Sequence, residues 1–261
     1  MADRADRYEL YEAAVQDAPG DAEFLDDEFF RRRGRRADSF REDFCGTAAL
    51  ACEFALRRPG SRVYAIDRDP VPLEWGRERH LPRLDREARE HVRLVESDVL
   101  DWEGPAVDLI AAMNFSYWIF ETREMLRRYF EQARRALLPD GLFFLDAYGG
   151  SDCHETKEYP RREQGFVFVW DQVSYDPITA HMECAMHFDL PDGSRLANAF
   201  RYAWRFWSLP EIRELLEEAG FRRTFVLWEG ADENGDGNGV FEEVEAGSPD
   251  PTWIAYLVSE P

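Results

Sequence analysis

The sequence predicts an α/β protein organised around a mostly parallel sheet. Two observations point there. Short, almost wholly apolar strands, Val63–Ile66, Val92–Val95, Val107–Ala112 and Leu142–Leu145, alternate with stretches of helical period, and strands apolar on both faces belong to parallel sheets covered on both sides. The other is Glu42–Leu50, which sits between the first strand and a helix, contains one glycine, Gly46, and is followed by Asp67 at the end of the next strand. A glycine at a strand-to-helix turn lets a ligand approach the backbone, and a carboxylate about 20 residues on can accept both hydroxyls of a ribose. Together they describe a nucleoside site.

The elements follow in order. Residues 1–37 form a helical cap: Tyr8, Tyr11 and Val15, then Phe24, Leu25 and Phe29, recur at helical spacing, with Pro19-Gly20-Asp21 as the expected break. Residues 38–150 form a cofactor-binding core. Within it a helix from about Glu121 to Leu138 sets Met125, Leu126, Tyr129, Phe130, Ala133 and Leu137 on one stripe and stops at Pro139-Asp140-Gly141. After Gly150 the period falls to two. Residues 151–207 are an antiparallel insertion of about three strands: Phe166–Trp170, Met182–Phe188 and Phe200–Phe206, the last pair joined through Pro191–Ser194. Residues 208–261 return to the core with a helix, Leu209–Ala219, and the strands Thr224–Trp228 and Trp253–Val258. A single domain is expected.

Composition restricts the partners. The net charge of -21 repels phosphate backbones and disfavours DNA and RNA. Arg31–Arg36 is a local basic cluster that leaves an RNA substrate open; its plainer reading is the solvated end of a helix. Acidic residues number 53 against 32 basic ones, with Lys157 the sole lysine. Such a surplus of carboxylate keeps proteins soluble in brine, so operation at high salt is expected, although a GC-rich genome alone explains arginine over lysine. No run of 18 apolar residues occurs and the first residues are charged, which predicts a soluble, cytoplasmic protein without membrane attachment. Cys45, Cys52, Cys153 and Cys184 lack C-x-x-C spacing and read as reduced thiols, without structural zinc.

Beyond this, the chain resembles the class I S-adenosylmethionine-dependent methyltransferases, whose first motif reads acidic-x-Gly-x-Gly-x-Gly. With Cys45-Gly46-Thr47 aligned, Glu42 takes the acidic position, Phe44 stands for the first glycine and Ala48 for the third. A phenylalanine resists positive φ, so a departure from the family's loop path is expected there. Asp67, next to Arg68, matches the ribose-binding acid. Ser97-Asp98-Val99 matches the segment that pairs with the adenine amino group, and Met113-Asn114-Phe115-Ser116-Tyr117 the loop beside the sulfonium. Leu138–Leu142 and Glu218-Ala219-Gly220-Phe221 resemble two later landmarks. The resemblance implies a Rossmann-like seven-stranded sheet with its last strand antiparallel, S-adenosyl-L-methionine as cofactor, and a cofactor site formed by Glu42, Phe44, Cys45, Gly46, Thr47, Asp67, Arg68, Ser97, Asp98, Val99, Asn114 and Phe115.

The expected activity is transfer of a methyl group to a small-molecule N or O acceptor by in-line displacement. Asn114-Phe115-Ser116-Tyr117 is similar to the Asn-Pro-Pro-Tyr motif of amino-group methyltransferases without its prolines, which makes Asn114 and Tyr117 candidates for positioning. A base is needed only when the nucleophile arrives protonated; His154 is the candidate, with Asp146, Tyr148 and Glu155 near the same sheet edge. No metal is expected: His181 and His187, six residues apart on one strand, are roughly 20 Å apart and cannot share an ion. Asp232–Gly237 with Glu243 fits a calcium-loop spacing, but its flanks are strands, so a solvated acidic hairpin is expected. The open alternatives are an RNA methyltransferase, an aminopropyl transferase, a nicotinamide-dependent oxidoreductase, and a non-catalytic cofactor-binding or regulatory protein of the same fold. The acceptor and the oligomeric state are not legible.

Overall fold

The computed structural model describes residues 1–231 and 237–261. Two helices open the chain, α1 (Arg7–Val15) and α2 (Ala18–Arg33), each begun by an aspartate: Asp6 accepts from the amides of Tyr8 and Glu9, Asp17 from that of Gly20. The break falls at Gln16-Asp17 rather than at Pro19-Gly20-Asp21, because a proline in the first turn has no amide to lose and is tolerated there. Then follow β1 (Ser39–Asp43), α3 (Ala49–Arg57), β2 (Arg62–Asp67), α4 (Pro70–Arg79), α5 (Arg86–His91), β3 (Val92–Glu96), β4 (Val107–Ala112), α6 (Arg123–Arg135) and β5 (Leu137–Gly149). The chain continues through β6 (Lys157–Glu163), β7 (Phe166–Tyr175), β8 (His181–Asp189), β9 (Arg195–Arg205), α7 (Leu209–Glu218), β10 (Arg223–Ala231), β11 (Gly237–Glu243) and β12 (Trp253–Glu260).

The central sheet runs β11-β10-β12-β5-β4-β1-β2-β3. The strands from β5 to β3 are parallel, and β12 pairs antiparallel with both β5 and β10. Seven strands were expected; the described residues hold eight, because β11 adds to the free edge of β10. Phe241 anchors it, its ring packing against Phe24 and Tyr256. Asp232–Asp236 lie outside the described residues, and with them most of the calcium-loop spacing. Glu243 is in β11, where it accepts from Arg32 at 3.1 Å.

The insertion is a separate four-stranded antiparallel sheet, β6-β7-β8-β9. Its first strand went unread because Lys157–Glu163 is mostly charged and exposed, so no apolar period marks it. Apolar layers cover both faces of the central sheet. On one, Tyr129, Phe130, Phe143, Leu215 and Trp207 are wholly buried; on the other, Leu25, Phe29, Phe40, Phe54 and Phe144. Burying each such side chain contributes roughly 1.5–3 kcal/mol. The stripe of α6 is narrower than predicted: Met125 is exposed, and Leu137 belongs to β5.

The basic cluster is neither a solvated helix end nor a bare positive patch. Arg31 and Arg32 hold Glu28, Arg33 reaches Glu260 at 2.8 Å, Arg35 bridges Asp108 and Asp140, and Arg36 binds Asp26 and Asp27. Of these, the pairs to Glu260, Asp108 and Asp140 tie the C-terminal end of α2 and the residues after it to β12, the amino end of β4 and β5.

Candidate functional site

The loop after β1 carries the first set of functional groups. Phe44, Gly46 and Ala48 all adopt left-handed backbone, at φ 58, 54 and 60°. The three glycine positions of the family motif therefore keep their conformation here although two carry side chains, contrary to the departure expected at Phe44. Phe44 is held in that strained state by its ring, which packs edge-on against Tyr129 at 5.5 Å and Phe120 at 6.0 Å. Beneath it lies a fully buried pair: Arg41 donates two parallel hydrogen bonds to Asp43, at 2.6 and 2.8 Å, and the Tyr129 hydroxyl donates a third at 2.8 Å.

The rest of the loop is tied down on every side. The Gly46 amide donates to Asp67 Oδ2 at 2.8 Å, and the Asp69 amide to Oδ1 at 2.9 Å. Each Asp67 oxygen keeps a lone pair for a ligand hydroxyl. Burial raises the Asp67 carboxyl above its ordinary value, opposed by those two amides. Glu42 is buried, accepts from the Ala51 amide at 2.9 Å and is likewise pushed up by burial. Burial, reinforced by Glu42 and Asp67, also drives the Cys45 thiol far up, so it offers no thiolate. Thr47 donates from its hydroxyl to Glu12 of α1 at 2.5 Å, and His80 contacts the same oxygen at 2.7 Å, closing the cap onto the loop. Gly76 lets α4 lie against this loop: a Cβ there would stand 1.9 Å from the Thr47 carbonyl oxygen. A Cβ at Gly46, in contrast, would meet nothing within 4 Å, so the loop presents bare backbone to open space.

That space is a chamber of about 490 Å³ lined by Glu42 through Thr47, Asp67, Arg68, Asn114, cap residues Arg7, Tyr8, Tyr11 and Gln16, and residues 198–202 of β9 with Trp204. A second chamber of about 660 Å³ adjoins it, bounded by the cap, the ends of β5 and β12, and the inner face of the insertion. Tyr11, Met113, Asn114, Ser116, Tyr202 and Trp204 line both. Both volumes fall within the roughly 300–1,000 Å³ typical of small-molecule sites. The first fits a nucleoside-bearing cofactor: bare backbone at Gly46 and a carboxylate with spare acceptor capacity at Asp67 are the groups that a ribose needs.

Aromatic and acidic groups dominate the second chamber. Phe115, Tyr148, Phe168, Trp170, Trp253 and Tyr256 line it with five carboxylates, Asp17, Asp21, Asp146, Asp152 and Glu229, and Arg161 is the one cation among its described lining residues. Arg161 is already engaged by the Ala14 carbonyl and Glu163. Burial, aided by the neighbouring Asp17 charge, pushes the Asp21 carboxyl up to about 6. Burial pushes that of Asp146 up to about 7, against the amides of Phe115 and Asn114 that hydrogen-bond to it.

Glu42, Phe44, Cys45, Gly46, Thr47, Asp67, Arg68 and Asn114 all meet around the first chamber, and Phe115 faces the second. Ser97, Asp98 and Val99 line neither; they adjoin the site through the Ser97 amide, which donates to the Asp67 carbonyl at 3.0 Å, while the Asp98 carboxylate caps the following turn. Tyr117 turns into the core and donates to the Asp146 carbonyl at 2.8 Å. His154 is exposed, lines neither chamber, and its ring lies against Tyr175 and Phe206. The cap residues Arg7, Tyr11, Asp17 and Asp21 escaped the sequence reading as site residues, since only the tertiary fold carries them to the sheet edge, whereas the aromatic face of β9, most simply core packing by sequence, does line the chambers through Phe200, Tyr202 and Trp204.

Among the described residues one group has a metal-like composition, Glu158, Asp171 and His187. The Asn198 amide donates to His187 Nδ1 at 2.7 Å, which leaves the ring proton on Nε2, facing Asp171 Oδ2 at 3.3 Å. A nitrogen that carries a proton cannot ligate a metal.

Residues 45–143 match the model of a methyltransferase domain. A malonyl-[acyl-carrier protein] O-methyltransferase of Geobacter sulfurreducens is 27% identical over 183 residues, which is 70% of this chain and 55% of that one. Over residues 45–143 the chain is similar to methyltransferase domains, and it shares the fold of S-adenosylmethionine-dependent methyltransferases. It spans about half the length of that curated relative. Solved structures share its fold: an S-adenosylmethionine-dependent methyltransferase of Clostridium acetobutylicum has a TM-score of 0.72 at 15% identity, covering 97% of this chain and 96% of its own. DesVI of Streptomyces venezuelae has 0.68 at 17%, covering 98% and 97%. CalS10 of Micromonospora echinaspora, an amino pentose methyltransferase, has 0.66 at 16%, covering 98% of both chains.

Proposed function

We propose that this chain transfers a methyl group from S-adenosylmethionine to the amino group of a small, partly apolar molecule. The observation that carries the reading is the pair of chambers sharing one wall, the first built for a nucleoside and the second lined with carboxylates and aromatic rings. Bound S-adenosylmethionine supplies an activated methyl group. The chain has to hold a nucleophile in line with it and keep water out. Asp67 takes the ribose hydroxyls, the Phe44–Thr47 backbone the remainder of the nucleoside side, and Asn114 stands on the dividing wall.

The charge of the second chamber favours an amine. A cation is drawn to carboxylates and to aromatic faces alike, whereas an anionic acceptor would meet five acids and a single engaged arginine. An ammonium must lose its proton before it attacks. Asp21, with its carboxyl near 6, is ionised at neutral pH and stands where it can accept that proton. The sugar and glycopeptide N-methyltransferases among the structures of the same fold lend further support.

The test is calorimetric titration with S-adenosylmethionine and S-adenosylhomocysteine, followed by a panel of amine, hydroxyl and carboxylate acceptors read by mass spectrometry. Asp67→Ala removes two charge-assisted contacts and is expected to weaken cofactor binding about 10- to 100-fold. Binding with turnover on carboxylates alone would overturn the amine reading, and no binding would overturn the function.

A further inference from the structure

The wall between the chambers is a strained piece of backbone. Asn114 and Phe115 are consecutive residues in left-handed conformation, at φ 57 and 56°, and neither is glycine. Two such residues in a row persist only when their surroundings over-determine them. Ser116 Oγ donates to the Met113 carbonyl at 2.8 Å and the Phe115 ring rests on Tyr148, but the amides of both strained residues are held by one side chain. Asp146, at the end of β5 and nearly inaccessible, accepts from the Asn114 amide through Oδ2 at 2.6 Å and from the Phe115 amide through Oδ1 at 2.9 Å. Its own carbonyl accepts from Tyr117 at 2.8 Å, so the same residue grips both ends of the loop.

We propose that Asp146 is a positioning residue of the transfer site, whose carboxylate pins the Asn114–Phe115 backbone and thereby sets the wall that aligns cofactor and acceptor. This rests on the two-chamber reading of function. Holding both amides requires the ionised form, since a protonated carboxyl turns one oxygen into a donor and leaves a good acceptor for only one amide. Burial places the transition near 7, so the pin loosens within the physiological range. The groups facing Asp146 are Tyr11 from α1, Asp21 from α2, Tyr117 from the loop after β4, and Tyr256 from β12. All three tyrosines are pushed above their ordinary value by burial and stay neutral. Asp21 is therefore the other group of this set that titrates nearby, and its charge raises that of Asp146.

The experiment is amide hydrogen exchange at Asn114 and Phe115 in the full chain, followed by NMR and corrected for intrinsic exchange, between pH 5.5 and 8.5. In the natural protein, protection of at least one of the two amides should fall as pH drops through about 7. In Asp146→Asn, where the amide side chain accepts through one oxygen, protection should be low and flat with pH while core amides of β4 and β5 stay protected. In steady-state assays kcat should fall while the cofactor Kd changes little. Unchanged protection in Asp146→Asn, or protection in the natural protein that does not vary with pH, would overturn the proposal. The pH series on the unsubstituted chain decides the matter even where the variant does not fold. Exchange does not depend on turnover, so a chain that binds no S-adenosylmethionine yet shows the pH-dependent protection sinks the functional reading and leaves the pin standing.

Discussion

Replacing Phe44 by alanine and by glycine separates backbone strain from packing at the cofactor loop. Both substitutions remove a half-buried ring that rests on Phe120 and Tyr129. Full truncation of a core phenylalanine costs roughly 3–5 kcal/mol, so the loss common to both is about 2 kcal/mol. The difference between them is conformational. At φ 58° an L side chain costs roughly 1–2 kcal/mol, which glycine avoids, while glycine loses about 0.5–1 kcal/mol more backbone entropy on folding. Phe44→Gly should therefore be more stable than Phe44→Ala by about 0.5–1 kcal/mol, the reverse of the order in ordinary right-handed or extended backbone. For a chain of this size that is about 1–4 °C in Tm. Guanidinium midpoints at equal m-values are the assay. Phe44→Ala proving as stable as Phe44→Gly would refute the left-handed loop, and with it the claim that the motif survives without its first glycine.

Three other outcomes follow from the geometry. Gly76→Ala should destabilise by about 1–3 kcal/mol, because the new methyl strikes the Thr47 carbonyl; a gain in Tm, as at an unhindered mid-helix glycine, would show that α4 does not press on the loop. Asp21 has its folded value raised to about 6, so its contribution to stability is full below its unfolded value near 3.8 and is lost as pH rises through 6. Asp21→Asn should accordingly stabilise the chain relative to the natural protein at pH 8 and not at pH 4, by at most on the order of 3 kcal/mol; an equal effect at both values would exclude the shift. With a net charge of -21, unfolding midpoints should climb between dilute buffer and molar potassium chloride, and midpoints that do not move would count against adaptation to salt.

The sequence by itself determined the α/β class and brought out the loop at Glu42–Thr47 and the acid at Asp67 that are proposed to hold the cofactor, because these depend on short-range pattern: apolar strands, a glycine at a turn, a carboxylate one strand away. Charge composition likewise set the expectation against phosphate backbones. What escaped that reading depends on contacts between distant segments. The added strand β11 is held by Phe241 against Phe24 and Tyr256, which no local period announces. Phe44 looked incompatible with the loop until Tyr129 and Phe120, on another element, were seen to hold its ring. The carboxylates of the second chamber come from α2, β5, the turn after β5 and β10, and each alone reads as a solvated acid. Their shifted titration, and the grip of Asp146 on the Asn114–Phe115 backbone, exist only once folding has removed water from around them. Pattern along a chain reports which residues avoid water; which of them then share one dry cavity is settled by tertiary packing.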